Sequence, residues 1–147
     1  MIDFCVLGSG IAGSTIANLL SKKYTIEIFD KARGPGGRSS NRRYKKKLSF
    51  DHGVQYISPK NKLFKRFVIN LKKKNILKIW DGNHIDLNLS SVNSLKYIGK
   101  KGNNDIAKFL IKNIRKNFNS PITKINFVNN HWQITSNGKI YHFKNLI

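Results

Sequence analysis

Three glycines spaced as Gly8-x-Gly10-x-x-Gly13, an aspartate at position 30 and a second cluster, Gly34-Pro35-Gly36-Gly37-Arg38, are the residues whose types and spacing could do chemistry. The first set suits a phosphate site. Gly8 permits a tight turn, Gly10 lets backbone approach a pyrophosphate, and Gly13 lets a helix lie close on a sheet without a Cβ between them. The helix N-terminus, near Ile11, offers unpaired N–H groups and a partial positive charge to phosphate oxygens, and Ser9, Ile11 and Ala12 are counted with the glycines as cofactor-binding. Asp30 is placed to accept hydrogen bonds from ribose hydroxyls, which favours a nucleotide without a 2′-phosphate.

The spacing alone is shared with ordinary glycine turns, so the flanking elements decide. Ile2–Leu7 is a short apolar run of the kind a buried parallel strand requires. Ile11–Lys22 reads as an amphipathic helix with Ile11, Ile16, Leu19 and Leu20 as its apolar stripe, and Thr25–Phe29 is a second apolar run ending at Asp30. Strand, glycine turn, helix, strand and acid follow in the order of a dinucleotide-binding βαβ unit. The glycine doublet after Asp30 has no use in a simple NAD-binding unit. A solvated Gly/Pro turn with an incidental arginine is its plain alternative.

On these residues the chain resembles the flavin-binding N-terminal part of the amine oxidase superfamily. There, a segment like Lys31–Ser39 lies along the FAD pyrophosphate, with Arg38 giving a charge-assisted contact to phosphate and Gly36-Gly37 passing close beside it. Phe50-Asp51-His52-Gly53-Val54-Gln55-Tyr56-Ile57 is similar to a segment of renalase-like flavoproteins, with Val54 where that pattern has alanine. The resemblance implies that Gly53, Val54, Gln55 and Tyr56 run beside the flavin ring, that the backbone at Ile122 lies against the adenine, and that His52 is a weak catalytic candidate. A backbone-positioning turn residue is an equal reading of His52. Tyr97–Gly102 continues the likeness, but Lys101-Gly102-Asn103 departs from the family's Pro-Gly-Met, which weakens any substrate inference.

The expected fold is α/β: a Rossmann-like, glutathione-reductase-like βαβ FAD-binding domain with a β-meander and an inserted α+β segment, apparently truncated before the last sheet strand. Residues 1–147 form one partial domain. It divides into 1–58 (βαβ unit, glycine doublet and flavin-side segment), 59–118 (inserted helices and short strands, the start of a substrate domain) and 119–147 (return strand and meander). Between Ser39 and Lys47 the chain is basic and crosses the surface. Pro59–Lys74 has helical spacing, and Ile76–Leu89 suggests two short strands turning at Asp81-Gly82-Asn83, with Trp80 in the core. A helix is expected from about Asn104 to Phe118, with Ile106, Phe109, Leu110, Ile111 and Ile114 inward. Pro121–Phe127, His131–Ser136 and Lys139–Phe143 read as a meander turning at Asn129-Asn130 and Asn137-Gly138. Lys144–Ile147 reads as the opening of a further strand that should pair with Ile2–Leu7. If that strand is missing, Ile2–Leu7 keeps an open edge, and a second chain could complete the fold.

With 28 Lys and Arg against 7 Asp and Glu the net charge is +21. The lysines are scattered among Asn and Ile rather than gathered on one face. This favours compositional drift, and no specific nucleic-acid partner is expected beyond adsorption at low salt. The single cysteine, Cys5, cannot form an internal disulfide, which points to a reducing, cytoplasmic setting. There is no signal-peptide pattern and no run approaching the roughly 20 residues of a membrane span, so no membrane partner is expected. The four histidines, His52, His84, His131 and His142, lack ligand spacing, and no metal site is expected.

The expected cofactor is FAD. By resemblance the activity is flavin-mediated oxidation of an amine or dihydronicotinamide-type small-molecule substrate, with an NAD(P)-type nucleotide as a further partner. A non-catalytic fragment of such an enzyme and a simple NAD-binding module are the rivals.

Overall fold

A computed structural model of the chain describes residues 1–45, 48–82 and 95–147. The chain divides into two compact units, residues 1–37 with 107–147, and residues 38–106.

The first unit is built on a six-stranded sheet. Its strands are β1 (Ile2–Leu7), β2 (Ile26–Phe29), β7 (Arg115–Asn117), β8 (Ile122–Val128), β9 (His131–Ser136) and β10 (Lys139–Leu146), in the spatial order β7-β2-β1-β10-β9-β8. β1 is parallel to β2 on one side and to β10 on the other, with Ile2 opposite Phe143 and Cys5 opposite Leu146. The expected open edge of β1 is therefore closed. The third meander strand and the expected further strand are one continuous element, β10. It pairs antiparallel with β9 and parallel with β1, and the Cys5 carbonyl accepts from the Ile147 N–H at 2.9 Å. Both meander turns consist of two residues with positive φ, Asn129-Asn130 and Asn137-Gly138, the geometry that matches the twist of a hairpin.

Cys5, Phe29, Ile134 and Phe143 form a core cluster in this sheet, with the Phe29 ring edge-on to Tyr141 at 4.9 Å and to Phe143 at 6.0 Å. α1 (Ile11–Leu20) follows β1, but its inward face differs from the expected stripe. Ser14 and Ala17 are buried, while Leu19 is 54% exposed. Ile11, Ile16 and Leu20 are half-buried, so of the expected stripe only Leu19 is largely exposed. α3 (Asp105–Leu110) ends well short of the expected Phe118. Ile111 and Ile114 are buried as expected, but the chain turns there and Arg115–Asn117 joins the sheet beside β2. The buried carboxylate of Glu27 on β2 explains the pairing: it accepts from Arg115 Nε at 3.1 Å and from Asn117 Nδ2 at 2.8 Å.

The second unit holds a hairpin of β3 (Asn41–Tyr44) and β4 (Leu48–Asp51), a helix α2 (Lys62–Lys73), and a pair formed by β5 (Leu77–Ile79) and β6 (Tyr97–Gly99). Asn41–Tyr44 of the basic stretch after Ser39 is thus a strand, its last three residues exposed, with Asn41 opposite Asp51. Asn61 caps α2 by accepting from the Phe64 N–H at 2.8 Å, and Val68 and Leu71 are its buried residues. β5 pairs with β6. The second strand expected within Ile76–Leu89, with Asn83 and His84, lies outside the described residues. Trp80 is not core: it is 38% exposed, its ring 5.7 Å from that of Tyr56.

Candidate functional site

The glycine loop leaves β1 at Gly8, whose N–H donates to the Phe29 carbonyl at 2.7 Å, so the first turn is tied to the end of β2. Gly13 is required for packing. A Cβ there would overlap the Gly8 carbonyl oxygen and press on Val6. Gly10 differs: its φ of −66° suits any residue, and a Cβ would meet only Gly37 Cα, at 3.9 Å. Nothing in the fold itself demands glycine at position 10.

Ser9 is the hub of the loop and is fully buried. Its N–H donates to Asp30 Oδ2 at 2.7 Å and its hydroxyl to the same oxygen at 2.5 Å. Its carbonyl accepts from the Ser14 hydroxyl at 3.1 Å and from the Gly36 N–H at 2.9 Å. Asp30 Oδ1 accepts from the Ala32 N–H at 2.8 Å. Three of the roughly four acceptor positions of this carboxylate are therefore taken up by the chain itself. The Asp30 backbone is held in turn by the end of β7, through its N–H to the Asn117 carbonyl and its carbonyl from the Ser120 N–H, both at 2.9 Å.

The two glycine clusters, separate in sequence, form one backbone cradle. Gly36 bridges Gly10 in parallel fashion, and Gly37, at φ +54°, brings its Cβ position within 3.1 Å of Gly10 Cα. Ile11 is half-buried, whereas Ala12 and Lys31 are exposed. Ile122 begins β8 and packs against the Phe29–Phe143 cluster.

In the second unit Arg38 is exposed and Ser39 buried. The Arg38 carbonyl accepts from the Val54 N–H at 3.0 Å, and a Cβ at Gly53 would overlap that carbonyl. The exposed His52 meets the Ser40 hydroxyl through Nε2 at 3.3 Å, and its N–H donates to the Ser40 carbonyl at 3.3 Å. The sequence reading missed Asn103. It is fully buried, and its side chain bonds Val54, Gln55 and Gly99. Its only signal was the departure from the family's methionine.

Elsewhere, His131 Nε2 lies 3.0 Å from His142 Nδ1 on adjoining strands. Among the described residues no group of three or more His, Cys, Asp or Glu could hold a metal ion. No helix among them is long and apolar enough to cross a membrane.

Residues 6–71 match the family model of an NAD(P)-binding Rossmann-like domain. The fold is Rossmann-like. Solved structures agree. A double mutant of putrescine oxidase, redesigned in its cofactor binding, is similar over 99% of this chain with a TM-score of 0.71 at 11% identity. The Diels-Alderase PyrE3 of the pyrroindomycin pathway gives 0.64 at 12% identity, and the tetracycline destructase Tet(51) gives 0.61 at 14%, each over 99% of this chain. At such identities the likeness shows the fold alone. The chain spans 57%, 32% and 38% of those three proteins, respectively.

Proposed function

We propose that the chain binds FAD and is the nucleotide-binding part of a flavin-dependent oxidoreductase. The observation that carries the reading is the docking of Gly36-Gly37 onto Ser9-Gly10. A dinucleotide turn of the NAD type is complete without a second glycine cluster. Here that cluster is built into the same cradle, as the resemblance to the amine oxidase superfamily implies. The similarity to a putrescine oxidase redesigned in its cofactor binding supports it.

Within this reading the residues divide the work. Gly10 and Gly37 leave room for a pyrophosphate at the open N-terminus of α1, whose N–H groups and dipole favour the negative charge. Asp30 holds Ser9 in place, and its one remaining acceptor position on Oδ1 suits a ribose hydroxyl while its charge opposes a 2′-phosphate. Lys31 and Arg38 add positive charge in the segment that follows. Gly53, Val54, Gln55 and Tyr56 are assigned to the flavin ring by resemblance. Bound flavin would supply the hydride-accepting chemistry. A renalase-like specificity for an amine or dihydronicotinamide-type substrate, and a cytoplasmic setting, belong to the same proposal.

The family description itself favours a second reading, an NAD(P)-type nucleotide in the same cradle. The test is gel filtration of the 147-residue protein after incubation with FAD or NAD, followed by absorption spectroscopy of the protein fraction. A retained flavin spectrum supports the proposal. Retention of NAD with free flavin supports the second reading, and retention of neither overturns both.

A further inference from the structure

The Asn103 side chain sits beneath the Gly53–Tyr56 segment and uses its polar atoms in an unambiguous sense. Its Oδ1 accepts from the Gly99 N–H at 2.9 Å, and its Nδ2 donates to the carbonyls of Val54 at 2.8 Å and Gln55 at 3.1 Å. An N–H can only donate and carbonyls can only accept, so the amide orientation is fixed by its partners. The Asn103 backbone is anchored too, its N–H donating to Asp51 Oδ1 at 2.8 Å, an oxygen that also accepts from Asn41 Nδ2 at 3.0 Å. The turn beneath is closed by two glycines. A Cβ on Gly99 would overlap the Gly102 carbonyl oxygen, and one on Gly102 would stand 2.8 Å from Asn41.

Drawing two successive carbonyls to one side has a geometric consequence. In a trans peptide the C=O and the following N–H point in opposite directions. With the Val54 and Gln55 carbonyls held toward Asn103, the N–H groups of Gln55 and Tyr56 are directed away from it. Both residues are exposed, and among the described residues neither N–H has an acceptor in the chain.

We propose that Asn103 is a positioning residue that presents the Gln55 and Tyr56 N–H groups as paired donors to the acceptor edge of a planar ring ligand, the flavin on the functional reading above, on which this inference rests. The flanking bonds, Val54 N–H to the Arg38 carbonyl and Ile57 N–H to the Tyr97 carbonyl at 2.8 Å, hold the segment at both ends and leave these two donors between them.

The test uses the full chain labelled with nitrogen-15 and titrated with FAD. The Gln55 and Tyr56 amide resonances should move, along with that of Gly10, and their exchange with solvent should slow. Asn103→Asp sets a carboxylate oxygen against two carbonyls. It should weaken FAD binding at least tenfold and shift the absorption bands of the flavin still bound. Asn61→Ala, which removes only the cap of α2, should leave affinity and spectrum as in the parent protein.

Movement of the Gly10 resonance with Gln55 and Tyr56 unmoved would overturn this inference alone, as would an Asn103→Asp protein with parental affinity and spectrum. Absence of FAD binding by the parent chain would overturn the functional reading and this inference with it. The amide measurement is made on the parent chain, so it decides the matter even if Asn103→Asp does not fold.

Discussion

Asp30 Oδ2 receives both the N–H and the hydroxyl of Ser9, at 2.7 and 2.5 Å, and so fastens the glycine loop to the end of the neighbouring strand. The acid expected to serve the nucleotide first serves the loop. Asp30→Ala leaves buried Ser9 without its acceptor, and a buried orphaned donor costs about 1–3 kcal/mol. The variant should lose about 2–4 kcal/mol in urea unfolding, with or without nucleotide present.

On the proposed reading Gly10 leaves room for a ligand, whereas Gly13 leaves room for packing. Gly10→Ala should unfold at nearly the parental urea concentration and bind FAD at least tenfold more weakly. Gly13→Ala drives a Cβ into the Gly8 carbonyl and should lose about 1–3 kcal/mol or more of stability. Parental FAD affinity in Gly10→Ala would count against the pyrophosphate assignment.

Arg115 and Glu27 are unequal partners: the arginine side chain is 72% exposed and the glutamate 3%. Removing the exposed partner leaves a buried charge, whereas removing the buried one returns a cation to water. Arg115→Ala should therefore cost more than Glu27→Gln, about 3 kcal/mol against about 1. Chemical denaturation of both variants checks the ranking.

Burial, with a smaller contribution from Glu27, pushes the Cys5 thiol up to about 12. The thiolate is the reactive form, so Cys5 should resist iodoacetamide at pH 8 in the folded protein and react once unfolded. The unfolded chain loses this proton first, so stability falls as pH rises from about 9 toward 12. Cys5→Ala should lessen that alkaline loss.

At the other end of the scale, the Lys144 ammonium at 2.8 Å, with the Thr25 N–H and hydroxyl, holds the Asp3 carboxyl well below the usual carboxylate range. A lowered value gives stability that is present above the ordinary carboxylate pKa and is lost as pH falls. Asp3→Asn should flatten the acid limb of the thermal melting profile below about pH 4.

These residues also show what was legible beforehand. Gly8 and Gly13 were legible because local backbone demands are written in residue type, whereas the hold of Asp30 on Ser9 was not, because it joins two segments 21 residues apart. The meander was legible because Asn129-Asn130 and Asn137-Gly138 accept positive φ. β7 was not, because three residues with no apolar alternation join the sheet through a buried glutamate far away in sequence. The continuity of β10 was hidden because Lys139–Phe143 and Lys144–Ile147 read as two separate strands, although the Lys144 and Asn145 side chains at the join bond Asp3 on β1. In α1 only Leu19 of the expected stripe is largely exposed, and the most buried positions went to the small Ser14 and Ala17, which apolar spacing does not pick out. Asn103 was visible only as a departure from a family pattern, since a buried amide's partners cannot be read from spacing.

The pairing of β1 with β10 imposes an order in time. Once synthesised, β1 gains its second neighbour only when residues 139–146 emerge from the ribosome, which at about 5–20 residues per second is on the order of ten seconds later. Through that interval an apolar strand stands with one side unclaimed, a template for any passing chain. Such distant pairing also slows folding from the full-length unfolded state. Nascent-chain chaperones should therefore influence the yield of this protein more than its final stability.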